Sequence, residues 1–194
     1  MRTIVLVLFL AGLAPAPERP RGFVQAVEFP YYAYPPQLWE RELVWLKNLG
    51  IDTVAFSIPW NWHREDPETL DLTGRTSPRR DLIGFIRLVK RAGLQAWIRP
   101  VPPIHGWINS GYPAGLESNR RELRKWLWDL SDALGPFLSA HGGPIAFVEG
   151  CPGVFDAPEP PLPVTVVSAK GPRAFIQSRQ VFAASHGSLL WEEV

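Results

Sequence analysis

With 194 residues, the chain is long enough for one domain with one sizeable core. Its 20 Lys and Arg nearly balance its 19 Asp and Glu, and the formal net charge is +1. This balance disfavours nucleic acid and anionic membrane surfaces as partners. A single cysteine, Cys151, excludes an intrachain disulfide, so the fold must depend on its hydrophobic core.

Neither a metal nor a cofactor is predicted. The four histidines, at positions 63, 105, 141 and 186, form no i, i+4 pair and no cluster with Cys or Asp. The 9 tryptophans are numerous for this length. Each one most simply fills the core, although flat apolar rings also suit stacking on a sugar ring.

The N-terminus is typical of a secretory signal. Arg2 precedes an apolar run from Ile4 to Leu13, and Ala14-Pro15-Ala16 then matches a small-residue cleavage site. The run is short for a span of about 30 Å of hydrocarbon, so we predict no integral membrane span after cleavage. We expect a secreted or periplasmic protein with a signal peptide at residues 1–16. A retained N-terminal anchor stays open as an alternative, because Pro17 is a poor residue at a cleavage junction.

Short β-like runs alternate with helical patterns from residue 23 onward, which predicts βαβ units and a parallel sheet. The first strand is predicted at 22–29 and its helix between Pro35 and Gly50. The second strand is predicted at 52–58. A long loop, 60–77, then leads to a helix for which Ser77 is the predicted N-cap and Pro78 the first residue.

The third strand is predicted at 94–99, the longest helix at 118–140 and the fourth strand at 145–149. Four such units make half of an eight-stranded barrel, which typically needs about 250 residues. We therefore predict an α/β fold, a partial (β/α)8 TIM-barrel-like domain at 17–150. A Pro-rich linker at 151–163 and a β-rich tail at 164–194 follow, with tail strands at 164–168, 174–177, 181–184 and 189–194.

The candidate site residues are those that close the strands, because active sites of such barrels lie at the carboxyl ends of the strands. They are Glu28, Trp60 with Asn61, Arg99 and Glu149. These residues are more polar than core packing requires. Two interpretations stay open for each glutamate: a catalytic carboxylate, or an ion pair with Arg99 across the barrel mouth.

Several stretches resemble, in order and spacing, the N-terminal half of the catalytic barrel of glycoside hydrolase family 35, the β-galactosidases. The longest are Val-Glu-Phe-Pro-Tyr-Tyr-Ala-Tyr-Pro-Pro-Gln-Leu-Trp at 27–39 and Leu-Lys-Asn-Leu-Gly-Ile-Asp-Thr-Val-Ala-Phe-Ser-Ile-Pro-Trp-Asn-Trp-His at 46–63. Shorter matches lie at 71–74, 81–94, 98–102 and 142–145.

The resemblance implies retaining hydrolysis of terminal β-galactoside-type O-glycosidic bonds by two glutamates about 5 Å apart. It places Tyr31, Asn61 and the Arg99-Pro100 turn in a galactose-type pocket, with Trp60 and Trp107 as further substrate contacts. Glu149 is the candidate acid/base, and Glu28 is the candidate second carboxylate.

The chain also departs from the family at its catalytic motifs. The family's Arg after the first strand is Ala33, and its Tyr after the Arg-Pro turn is Pro103. Its Cys-Ala-Glu-Trp segment corresponds to His105-Gly106-Trp107, without the glutamate. Aligned on Gly143-Pro144-Ile145, Glu149 falls near the family's Gln, and Cys151 takes the place of the acid. The late strand that carries the family's nucleophile has no counterpart among the predicted strands.

Two functional hypotheses follow: an active glycosidase, or a non-catalytic, degenerate or truncated homologue that binds carbohydrate. Both imply a carbohydrate ligand. A four-stranded parallel sheet also has two open edges, whose unpaired backbone groups need cover. The tail strands, a second copy that completes the barrel as a homo-oligomer, or the remainder of a longer enzyme are the three alternatives.

Overall fold

The computed structural model describes residues 24–64, 69–104, 106–150, 154, 164–170 and 175–178. The predicted signal peptide, most of the predicted linker, His105, His186 and the predicted strands at 181–184 and 189–194 lie outside these ranges. No helix within the described ranges combines the length and apolarity needed to cross a membrane.

The described part of the chain forms one six-stranded sheet with the order β4-β3-β2-β1-β5-β6. The strands are β1 (Val24–Glu28), β2 (Thr53–Ser57), β3 (Gln95–Arg99), β4 (Ile145–Val148), β5 (Val164–Lys170) and β6 (Phe175–Ser178). The strands β1 to β5 run parallel, and β6 is antiparallel to β5. The helices are α1 (Pro36–Asn48), α2 (Trp60–His63), α3 (Leu82–Arg91) and α4 (Arg120–Leu134).

The first four strands, joined through α1, α3 and α4, are the predicted partial (β/α)8 barrel. One sheet face, with Val27, Val54, Phe56 and Ile98, lies in a hydrophobic core with the apolar stripes of these helices. From the helices, this core includes Trp39, Leu43, Leu46, Leu82, Phe85, Ile86, Val89, Trp126 and Leu130. Side chains alternate along a strand, so Glu28, Ser57 and Arg99 project from the other face.

The start of α3 differs from the prediction. The segment Pro78–Arg80 is a separate 3-10 turn, and the side chain of Ser77 makes no capping hydrogen bond. The N-cap of α3 is Asp81, whose Oδ1 accepts a hydrogen bond of 2.8 Å from the backbone N of Gly84. Both Ser and Asp are good N-caps, and the proline directly after Ser77 favoured the wrong one in the sequence.

The longest helix is shorter than predicted. It begins after Asn119, whose side chain accepts from the backbone N of Arg121 and of Glu122, and it ends at Leu134. Two 3-10 turns, Gly135–Phe137 and Ser139–His141, continue the chain toward β4. The break follows from Pro136, which has no backbone N–H and whose ring clashes with the preceding turn of a helix.

Candidate active site at the strand ends

Backbone hydrogen bonds extend the parallel ladder beyond the strands and fix the residues that follow them. Phe29 donates to the carbonyl of Ala55 (2.8 Å), and Ile58 donates to that of Arg99 (3.0 Å). Glu149 donates to the carbonyl of Ile98 (3.0 Å). Glu28, Arg99 and Glu149 are therefore held at the same carboxyl-end edge of the sheet, which is where such barrels carry their active sites.

Arg99 forms an ion pair with Glu28, from the end of β3 to the end of β1. The two side chains are only 17% and 21% exposed, so water screens their attraction less than it does at an open surface. The Nε of Arg99 also donates to the hydroxyl of Ser57 on the intervening strand (3.3 Å), and its guanidinium lies 5.7 Å from the ring centre of Trp97. Glu28 and Arg99 therefore form the ion pair that the sequence suggested.

The charges of both glutamates act on Arg99. Burial on its own lowers the pKa of this guanidinium. The charge and hydrogen bond of Glu28, followed by the charge of Glu149, outweigh burial and raise the pKa of Arg99 above its ordinary value. The structure thus brings together three of the predicted site residues: two carboxylates with a cation between them.

An aromatic cluster lies beside these charges, and the sequence interpretation identified only one of its members. The rings of Tyr32 and Trp107 meet edge to face with centroids 4.5 Å apart, and Trp62 contacts Trp107 in the same manner at 5.9 Å. All three rings are partly exposed. Burial, and then the charge of Glu28, raise the pKa of Tyr32 to about 12, with Arg99 acting in the opposite direction. The tyrosine is therefore a neutral neighbour of the ion pair.

Asn61 positions this cluster. Its Oδ1 accepts from the indole N–H of Trp107 (2.7 Å), and its Nδ2 donates to the carbonyl of Ile108 (2.8 Å). Both ends of the amide are thereby engaged with the loop that carries Trp107. In this structure, Asn61 acts on the site through Trp107.

Tyr31 and Trp60, both predicted as substrate contacts, are fully buried. The ring of Tyr31 stacks on Phe85, and Trp60 stacks on Trp126 of α4 with centroids 6.0 Å apart. They therefore have no solvent-accessible face for a sugar, and they support the site from the core. Adjacent tyrosines in the 3-10 turn Tyr31–Ala33 take opposite roles: Tyr31 lies in the core and Tyr32 lies at the mouth.

A buried chain of hydrogen bonds lies beneath the mouth. The imidazole of His63 contacts the hydroxyl of Tyr31 through Nε2 and the carbonyl oxygen of Asp71 through Nδ1 (2.6 Å). A carbonyl can only accept, so Nδ1 carries the proton and Nε2 accepts from the tyrosine O–H. Burial is the main reason that the pKa of His63 falls to about 4, so the ring is neutral at physiological pH.

The carboxylate of Asp71 organises the loop that follows. It accepts backbone hydrogen bonds from Thr73, Arg75 and Thr76, and a further one of 2.6 Å from the hydroxyl of Thr76. Burial raises the pKa of Asp71, but these bonds outweigh it and lower the value to about 2. Asp71 therefore fixes the loop between β2 and α3, and His63 joins that loop to the end of β2.

Comparison with known proteins identifies the family. The model of glycosyl hydrolases family 35 matches residues 18–149, which is most of the chain. The chain belongs to this family. The half barrel and the strand-end residues described above all lie within the matched segment or at its end.

Individual relatives carry different names. An exo-beta-D-glucosaminidase from Pyrococcus horikoshii is 43% identical over 94 residues, which are 48% of this chain and 12% of that protein. A beta-galactosidase from Mus musculus is 33% identical over 132 residues, which are 61% of this chain and 20% of that protein. The chain thus spans about a fifth or less of these relatives' length. Among solved structures, the exo-beta-1,4-mannosidase Op5Man5 from Opitutaceae bacterium strain TAV5 matches at 16% identity and TM-score 0.49, covering 66% of this chain and 24% of that chain.

The described part of the chain offers no candidate metal site. Across residues 24–64, 69–104 and 106–150, no group of three His, Cys, Asp or Glu side chains is placed to hold a metal ion. The mouth combines the guanidinium donor of Arg99 and aromatic N–H and O–H groups with two carboxylate acceptors. This set is suited to hydroxyl groups and to acid-base chemistry.

Proposed function

We propose that this chain forms a glycoside hydrolase site that acts on terminal β-galactoside-type O-glycosidic bonds. The observation that carries the proposal is the gathering of Glu28, Arg99 and Glu149 at one edge of the sheet, beside partly exposed aromatic rings. Carboxylates supply acid-base and nucleophilic chemistry to a glycosidic bond. The rings of Tyr32 and Trp107 offer the apolar surface on which the C–H face of a sugar packs.

Different roles fit the two glutamates. Retaining hydrolysis needs one carboxyl group that donates a proton and a second that attacks as a carboxylate. Glu28 pairs with the guanidinium of Arg99 as a carboxylate, which is the form that attacks, so we assign Glu28 the attacking role. The proton-donating role then falls to Glu149. A carboxylate of a partner chain is the alternative source of the nucleophile.

Assays with two substrates test most directly which sugar the site prefers. Relatives named for β-galactoside and β-D-glucosaminide hydrolysis both match the chain. We therefore propose assays with an aryl β-galactoside and an aryl β-glucosaminide. Turnover of either one supports the glycosidase, and the ratio of kcat/KM identifies the preferred ring.

Substitution of the proposed acid tests the mechanism. We expect Glu149→Gln to lower kcat by about a hundred-fold or more, since a positioned acid contributes on this scale. Glu40→Gln is the matched control, because Glu40 is exposed on α1 and pairs with Arg91. Equal turnover by wild type and Glu149→Gln would exclude the proposed role.

A non-catalytic carbohydrate-binding protein is the second candidate function. The altered acid motif favours it, because Cys151 takes the place of the family's acid. This candidate predicts no turnover of either substrate between pH 4 and pH 8, together with sugar binding that survives Glu149→Gln. Calorimetric titration of wild type and variant with galactose distinguishes it from a protein that neither binds nor hydrolyses sugar.

A further inference from the structure

The outer edge of β1 is paired with a strand from the C-terminal tail. The strands β1 and β5 run parallel in register over five residue pairs, from Val24 with Val164 to Glu28 with Ser168. In a closed eight-stranded barrel, the first strand pairs with the second on one side and with the eighth on the other, and all are parallel. The strand β5 thus has both the position and the direction of the strand that closes a barrel.

This pairing has a clear physical consequence. An edge strand with unpaired N–H and C=O groups is a template for association with another chain. The strand β5 covers β1 along its whole length, and β6 then turns back antiparallel, from Val167 with Ser178 to Lys170 with Phe175. Strands of a closed (β/α)8 barrel are all parallel, so the antiparallel strand β6 cannot continue the barrel beyond β5.

We propose that the β5–β6 hairpin is an intramolecular edge cap, which stands where a barrel-closing strand would lie and keeps a second copy from pairing with β1. A homo-oligomer that completes the barrel through β1 is then blocked unless the hairpin leaves. The proposal rests on backbone pairing alone and is independent of any enzymatic activity.

Proline substitution in the cap tests its role in the full-length chain. Proline removes a backbone N–H and is not tolerated inside a sheet. Successive residues of β5 face its two neighbouring strands, so Val166→Pro with Val167→Pro interrupts the pairing of β5 with both β1 and β6. We expect amides of β1 to exchange hydrogen about ten-fold faster or more, while β2 and β3 keep their protection. We also expect self-association by light scattering. The matched control is Val166→Ile with Val167→Ile, which keeps every N–H. Unchanged protection of β1 in the proline variant overturns the proposal.

Crosslinking provides a test that does not depend on a destabilised variant. Gln25 and Thr165 are register partners on β1 and β5, whereas Ile176 lies on β6, which does not pair with β1. In a Cys151→Ser background, we expect Gln25→Cys with Thr165→Cys to crosslink within one chain through a short dithiol reagent. Gln25→Cys with Ile176→Cys is the control pair and should crosslink much less. A crosslinked dimer on a denaturing gel, or no crosslink at all, overturns the proposal.

Discussion

Arg99 is the residue around which the mouth is organised. It contacts Glu28 and Ser57, its guanidinium lies near Trp97, and the charge of Glu149 acts on it. This partly buried cation pairs with Glu28 and lies within the electrostatic reach of Glu149. The same cation also offers N–H donors to the hydroxyl groups of a sugar.

Trp107 is expected to contribute to sugar affinity by stacking. We expect Trp107→Ala to weaken galactose binding by about ten-fold, which corresponds to about 1.4 kcal/mol. Trp128→Ala is the control, because that indole is exposed on α4. Calorimetric titration measures both. Equal dissociation constants for wild type and Trp107→Ala would place the sugar elsewhere.

His63 makes the stability of the fold depend on pH. Its pKa is about 4 in the folded chain against an ordinary 6.5, so the folded state disfavours the protonated ring. The resulting stabilisation is complete above pH 6.5 and is lost as the pH falls toward 4, by about 3 kcal/mol in total. Asp71, with a pKa lowered to about 2, adds a further loss only below about pH 4.

Urea denaturation at pH 7, 6, 5 and 4.5 measures this dependence. We expect the free energy of unfolding to fall across this range in wild type and in the control His141→Gln, whose histidine is exposed. In His63→Leu the slope should be shallower, although the variant is less stable at every pH because the Tyr31 hydroxyl loses its partner. If the free energy of unfolding fell equally steeply with pH in all three proteins, His63 would not be the source of the pH dependence.

At the scale of elements, the sequence predicts the first four strands in their correct order. Each is a short apolar run bounded by proline or glycine, and two helices end at glycines with positive φ, Gly50 and Gly93. The ends of elements were less predictable where two residues compete for one role, as Ser77 and Asp81 do. A choice between them depends on the direction of the preceding loop, which Asp71 sets through contacts that local periodicity does not reveal.

The cap of α3 can be tested with a matched pair of variants. We expect Asp81→Ala to destabilise the chain by about 1 kcal/mol, since it removes the bond to the backbone of Gly84. Ser77→Ala should change the free energy of unfolding by much less, because its side chain makes no capping bond. Thermal or urea denaturation at pH 7 compares the two. A larger loss of stability in Ser77→Ala than in Asp81→Ala would instead identify Ser77 as the N-cap of α3, as the sequence predicted.

The candidate site shows why contacts across the chain are harder to predict than elements. Glu28 and Arg99 were identified because each closes a strand, and strand ends of a parallel sheet meet at one edge. The contact of Tyr32 with Trp107 joins residues 75 positions apart through irregular loops, so no periodic pattern indicates it. Family resemblance pointed to Tyr31 as the substrate contact. The backbone turn that these two adjacent tyrosines share directs Tyr31 into the core and Tyr32 to the mouth, and the sequence does not reveal that turn.

At the scale of the whole molecule, the chain is half of a family 35 barrel with a β hairpin at one edge of its sheet. The described residues carry the ends of four barrel strands, which lie together at one edge of the sheet. Binding requires one wall of the mouth, whereas hydrolysis requires two correctly placed carboxylates.

A crystal structure of the protein soaked with galactose, and separately with glucosamine, tests the proposed site most directly. We expect a sugar ring at the carboxyl ends of β1, β3 and β4, packed on Trp107 and within hydrogen-bond distance of Arg99 or Glu149. A sugar bound elsewhere on the molecule, or strand ends that stay empty with both sugars, would contradict the proposal that this mouth is a glycoside site.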